Sequence, residues 1–137
     1  MSQKFEGSFF SIQYPETWDL EIIENVPCFY DPDSGWALQI ASSRSPFSID
    51  LLSEIENYMI RQGLSFDEES VVPYELSPEI QAVASEYYVD NRFWLINMFC
   101  FENKLIVFLF NSDESPDAEL AREIAACIRS LQFYSEE

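Results

Sequence analysis

The sequence predicts an α+β fold in a single domain: an antiparallel sheet of about six strands with two main helices packed on it. Three observations carry that expectation. The stretch from Glu79 to Ser112 divides into three apolar runs at Asp90-Asn91 and Glu102-Asn103, each rich in β-branched and aromatic residues. Asp and Asn tolerate the left-handed backbone of a two-residue turn, so the three runs read as an antiparallel meander. Two other segments, 49–62 and 116–131, place their apolar residues at helical spacing instead. A chain of 137 residues with 47% hydrophobic content fits one domain, with a core that needs no covalent staples.

The elements follow in order. Phe9 to Tyr14 alternates, with Phe10, Ile12 and Tyr14 on one face, and Pro15-Glu16-Thr17 turns the chain. Trp18 to Glu24 alternates again, with Trp18, Leu20 and Ile22 facing inward. A short strand, Cys28 to Tyr30, leads through Asp31-Pro32-Asp33-Ser34-Gly35 to a strand from Trp36 to Ser42. Asp31, Asp33 and Gly35 match a calcium loop only in part. The glycine falls one position early and the distal Glu ligand is missing, so the segment reads as a hairpin turn. The first helix runs from Ile49 to Gln62, with Ser48 as N-cap and Gly63 at the left-handed C-terminal position. Leu51, Leu52, Ile55, Tyr58 and Met59 form its stripe. An acidic loop, Ser65 to Ser70, precedes a strand from Val71 to Leu76. Pro73 cannot donate to a neighbour and assigns that strand to a sheet edge. After the meander, Ser115 caps the second helix and Pro116 occupies its first position. Leu120, Ile124, Cys127, Ile128 and Leu131 are its buried stripe.

Two-residue turns also fix the register of the meander. Tyr88 faces Phe93, Tyr87 faces Trp94 and Ser85 faces Ile96; in the second hairpin Cys100 faces Leu105 and Met98 faces Val107. Alternation then gives one face Val83, Tyr87, Trp94, Ile96, Met98, Cys100, Leu105, Val107 and Leu109. The opposite face carries Glu86, Tyr88, Phe93, Asn97, Phe108 and Phe110. Sealing Glu86 and Asn97 without partners would cost a few kcal/mol each, so this face is expected to be the less completely closed one. Glu86, Tyr88, Phe93, Asn97, Phe108 and Phe110 are therefore the candidate binding residues, suited to an apolar peptide, a ligand or a homodimer interface, with plain core packing the alternative for each of the aromatics.

Charge and composition narrow the function. Twenty-five acidic against seven basic residues give a net charge of −18, which argues against nucleic acid and against an anionic membrane as partners. There is no histidine to serve as a general base or to complete a zinc site, and the three glycines form no phosphate loop. No catalytic residue, metal site or cofactor is therefore expected. Cys28, Cys100 and Cys127 lie in apolar runs and read as buried free thiols in a reducing compartment. The opening MSQKFEGSFF lacks the apolar core of a signal peptide, which points to the cytoplasm.

Phe10, Ile12, Tyr14, Pro15 and Trp18 together resemble the "phe-x-ile-x-tyr-pro-x-x-trp" opening strand of PsbP-like proteins. The hairpin turning through Asp31-Pro32 to Gly35 is similar too. The run Ile128-Arg129-Ser130-Leu131-Gln132-Phe133 resembles the group's "ile-x-x-ser-phe" ending, with one spacer fewer and Leu131 where Phe is usual. The resemblance implies an antiparallel sheet with helices packed on it. It also implies protein interaction rather than catalysis, since the group includes a photosystem subunit, a GTPase-binding factor and bacterial chaperones of secreted effectors. A non-enzymatic adaptor or chaperone-like module that binds another protein is thus the first expectation. A small-molecule or cation-binding domain is the second.

Overall fold

The computed structural model describes residues 2–134. Strands β1 (Ser2–Glu6), β2 (Phe10–Pro15), β3 (Asp19–Ile23), β4 (Val26–Tyr30) and β5 (Trp36–Arg44) come first. Helix α1 (Leu51–Arg61) and a single 3₁₀ turn (Glu68–Ser70) follow. Then come β6 (Val72–Ser77), β7 (Ile80–Val89), β8 (Arg92–Phe101), β9 (Lys104–Ser112), α2 (Ala118–Arg129) and β10 (Gln132–Phe133). The strands form two sheets, not the one sheet of about six expected. Seven run in the order β3-β4-β5-β9-β8-β7-β6, and a separate three-stranded sheet has the order β1-β2-β10. Every pairing is antiparallel.

The meander has the register that its turns dictate: Tyr88 opposite Phe93, Ser85 opposite Ile96, Met98 opposite Val107 and Cys100 opposite Leu105. Asp90 and Asn91 both take positive φ, 54° and 66°, as a two-residue hairpin of this hand requires. Pro73 sits on β6, which is a sheet edge as expected.

Each face of the large sheet has its own cover. Leu51, Ile55 and Met59 of α1 pack on Val83, Ile96 and Met98. On the other face, Phe10, Ile12 and Tyr14 of the small sheet meet Phe29, Phe99, Phe108 and Phe110, joined by Ile124 and Cys127 of α2. The C-terminal end of α2 and β10 together line one side of β2. Ser130 Oγ accepts from Gln13 N at 2.7 Å, and Tyr134 N donates to Phe9 O at 2.8 Å.

Local expectations are corrected at several points. The cap of α1 is Asp50, whose carboxylate accepts from Leu52 N and Ser53 N, rather than Ser48. Asp117 caps α2 through Leu120 N at 2.8 Å, rather than Ser115. Both Asp residues sit directly before the first helical turn, where a carboxylate meets free N–H groups and the positive end of the helix dipole. Leu52 lies outside the buried stripe of α1. Ile22 is 53% exposed rather than inward-facing, on β3, the outermost strand of the sheet.

Candidate functional site

The six candidate residues do not form an open recess. Phe93, Asn97, Phe108 and Phe110 are buried under the small sheet and α2. Phe93 meets Phe110 edge-on at 6.2 Å, Phe99 meets Phe108 edge-on at 5.3 Å, and Trp36 lies tilted against Phe110 at 6.0 Å. Asn97 does not pair with Glu86. Its Oδ1 accepts from the Tyr74 hydroxyl of β6 at 2.7 Å, and that satisfied bond is why an amide can be sealed here. Among the described residues no buried side-chain nitrogen or oxygen lacks a partner. Burial pushes the Tyr74 phenol up to about 12.

Glu86 and Tyr88 remain at the surface, where Tyr88 is 64% exposed and lies edge-on to Phe93. They sit on the part of β7 beyond the last β6 pair, Val72 with Ala84. What survives of the expected site is therefore a short polar–aromatic corner, with the other four residues serving as core.

Sequence reasoning did not identify the end of the sheet nearest the Asp90-Asn91 turn. Arg92 organises it: Nε and Nη2 donate to Asn111 Oδ1 at 2.8 and 2.6 Å, Nη2 to Gly35 O at 3.1 Å, and Nη1 pairs with Asp113 Oδ1 at 2.5 Å. One guanidinium thus ties β8 to β9 and to the turn before β5. A Cβ at Gly35 would meet the exposed Asp113 carboxylate, which would have to swing away from its place beside Arg92.

Beside this clamp lies an open cleft of about 550 Å³, bordered by Asp31, Asp113, Glu114, Asp117, Glu119 and Glu123, with Trp18 and Trp36 also lining it. The two indoles meet edge-on at 5.0 Å. Three of the carboxylates have structural work: Asp31 holds its turn through Asp33 N and Ser34 Oγ, Asp113 holds Arg92, and Asp117 caps α2.

The thiols differ from one another. Cys127 is buried and its pKa is pushed up to about 12 by that burial. Cys28 and Cys100 are only half-buried, which corrects the expectation that all three are interior. Burial raises both pKa values, and the Glu21 carboxylate adds to the effect at Cys28. Among the described residues no helix is long and apolar enough to cross a membrane.

No protein-family model matches the chain, and neither does any curated protein. Solved structures do. The solution structure of cyanobacterial PsbP (CyanoP) from Synechocystis sp. PCC 6803 superposes with a TM-score of 0.71 at 15% identity, over 97% of this chain and 92% of that one. A crystal structure from Bacteroides thetaiotaomicron VPI-5482 gives a TM-score of 0.65 at 16% identity, over 98% of this chain and 49% of that one. The present chain therefore spans about half the length of the Bacteroides protein. The fold is PsbP-like, as the opening strand suggests, and at these identities the likeness is one of fold.

Proposed function

We propose that this protein is a non-enzymatic interaction module, adaptor- or chaperone-like, that binds a basic polypeptide in the cytoplasm. The observation that carries the reading is the make-up of its surface. An excess of 18 negative charges is combined with large apolar side chains exposed at the sheet margins, Ile22 and Ile23 on β3 and Val72 and Tyr88 on β6 and β7. Exposed aliphatic and aromatic groups supply contact area, while the surrounding carboxylates steer a cationic partner and reject anionic ones. Three free thiols fit a reducing setting. A second reading, a small organic cation held in the cleft beside Trp18 and Trp36, draws on the six carboxylates that border it.

Affinity capture from the native host, followed by mass spectrometry and a salt titration, separates the two. The expected result is a stoichiometric basic polypeptide that dissociates as salt rises. Co-purification of a small ligand with no polypeptide would overturn the first reading in favour of the second.

A further inference from the structure

The two margins of the large sheet are built differently. At β6, Pro73 removes a donor and the register shifts between Glu75 and Ser77, two devices that discourage a further strand. At β3 neither occurs: five consecutive residues pair with β4 without a break, from Asp19–Tyr30 to Ile23–Val26. Four of the five β3 residues are exposed, including Ile22 and Ile23 at 53% and 48%.

The register also shows which backbone groups are free. Glu24 and Asn25 take φ of 52° and 70°, so they form a two-residue turn that is closed by the Ile23–Val26 pair. Opposite Ile22 stands Pro27, which has no N–H to give. Hydrogen-bonded and non-hydrogen-bonded pairs alternate in an antiparallel ladder, so Ile22–Pro27 and Leu20–Phe29 are the non-bonded ones. The N–H and C=O groups of Leu20 and Ile22 therefore point away from the sheet.

We propose that β3 is a strand-addition site, where a basic segment of a partner polypeptide pairs with Leu20 and Ile22. Alternation dictates its side chains. Leu20 and Ile22 share one face, whereas Asp19 and Glu21 share the other with Ile23, and Glu24 follows in the turn. The fitting strand alternates aliphatic residues, set against Leu20 and Ile22, with Lys or Arg set against Asp19 and Glu21. A second copy of this chain is disfavoured, because an antiparallel pair of β3 strands centred on Glu21 sets the two Glu21 carboxylates face to face on an already acidic edge.

This inference rests on the interaction-module reading and is tested separately from it. The probe is a short synthetic peptide alternating valine and lysine, titrated into the full chain while amide exchange is followed by NMR. Binding should protect the amides of Leu20 and Ile22, which exchange as open amides in the free protein. Ile22→Pro removes one outward N–H and leaves the β4 ladder whole. It should weaken the peptide about tenfold, the worth of one lost hydrogen bond, while Ile22→Ala keeps the protection pattern. Joint reversal, Asp19→Lys with Glu21→Lys, should exchange the preference for a valine–glutamate peptide and does not depend on the proline variant folding. Absence of saturable binding, equal binding of an all-lysine peptide, or protection centred on another element would each overturn the proposal. So would self-association that Ile22→Pro abolishes, which would identify the occupant as a second copy. A host partner that binds the reversed variant as well as the natural protein would sink the β3 site and leave the module standing. Recovery of no polypeptide partner at all would remove the module as well.

Discussion

Asn97 shows how a polar residue among aromatics can mislead. On its strand it marks a face that water should reach; in the fold it is sealed beneath α2 and the small sheet and held by Tyr74, 23 residues earlier. Tyr74→Phe should cost about 1–3 kcal/mol in chemical denaturation, because the amide oxygen then stays buried without its donor. The same phenol gives a pH signature. Burial raises Tyr74, and also Tyr87, from 10.0 to about 12, so the folded state holds these protons more tightly than the unfolded chain does. Their contribution to stability is complete below pH 10, the unfolded value, and is lost as pH rises through about 12. Urea midpoints measured across that range should fall, and less steeply in Tyr74→Phe. Cys127 adds a kinetic test. Its thiol should react with a thiol reagent only as fast as the protein opens, whereas half-buried Cys28 and Cys100 react in the native state. Rapid native labelling of Cys127 would show that α2 does not close over the core.

Among the elements, what could be read locally was read. The meander register follows from counting residues across two turns, and the apolar stripes of both helices follow from spacing. β1 escaped because Ser2-Gln3-Lys4-Phe5-Glu6 has one apolar side chain, and its strand form comes from pairing with β2. The β3–β4 hairpin was hidden for another reason: glutamate is a poor turn residue, yet Glu24 stands at φ 52°. That strain is testable. Replacing Glu24-Asn25 by Asn-Gly should stabilise the protein by about 1 kcal/mol, raising Tm by roughly 3–5 °C in thermal unfolding. The candidate site could not be read correctly because cover is a tertiary property. Which parts of a sheet face lie under β2, β10 and α2 depends on pairings more than a hundred residues apart.

For the molecule as a whole, charge works against compactness. With 18 excess negative charges, folding concentrates mutual repulsion that salt can screen over about 8 Å at physiological strength. Tm should therefore rise as sodium chloride is added from low ionic strength; a flat response would show that the charges lie too far apart to matter. The partner reading predicts the opposite trend for binding, which salt should weaken.

The bond between Gln13 and Ser130, 117 residues apart, has a consequence during synthesis. The meander can pair once Ser112 has emerged, but α2 and β10 cannot dock on it until the residues through Phe133 have followed it out of the ribosome. At about 5–20 residues per second, that leaves Phe99, Phe108 and Phe110 partly uncovered for roughly 1–4 s. A ribosome stalled in that interval would hold a nascent chain bearing an open aromatic sheet, the species of this protein most in need of a chaperone of its own.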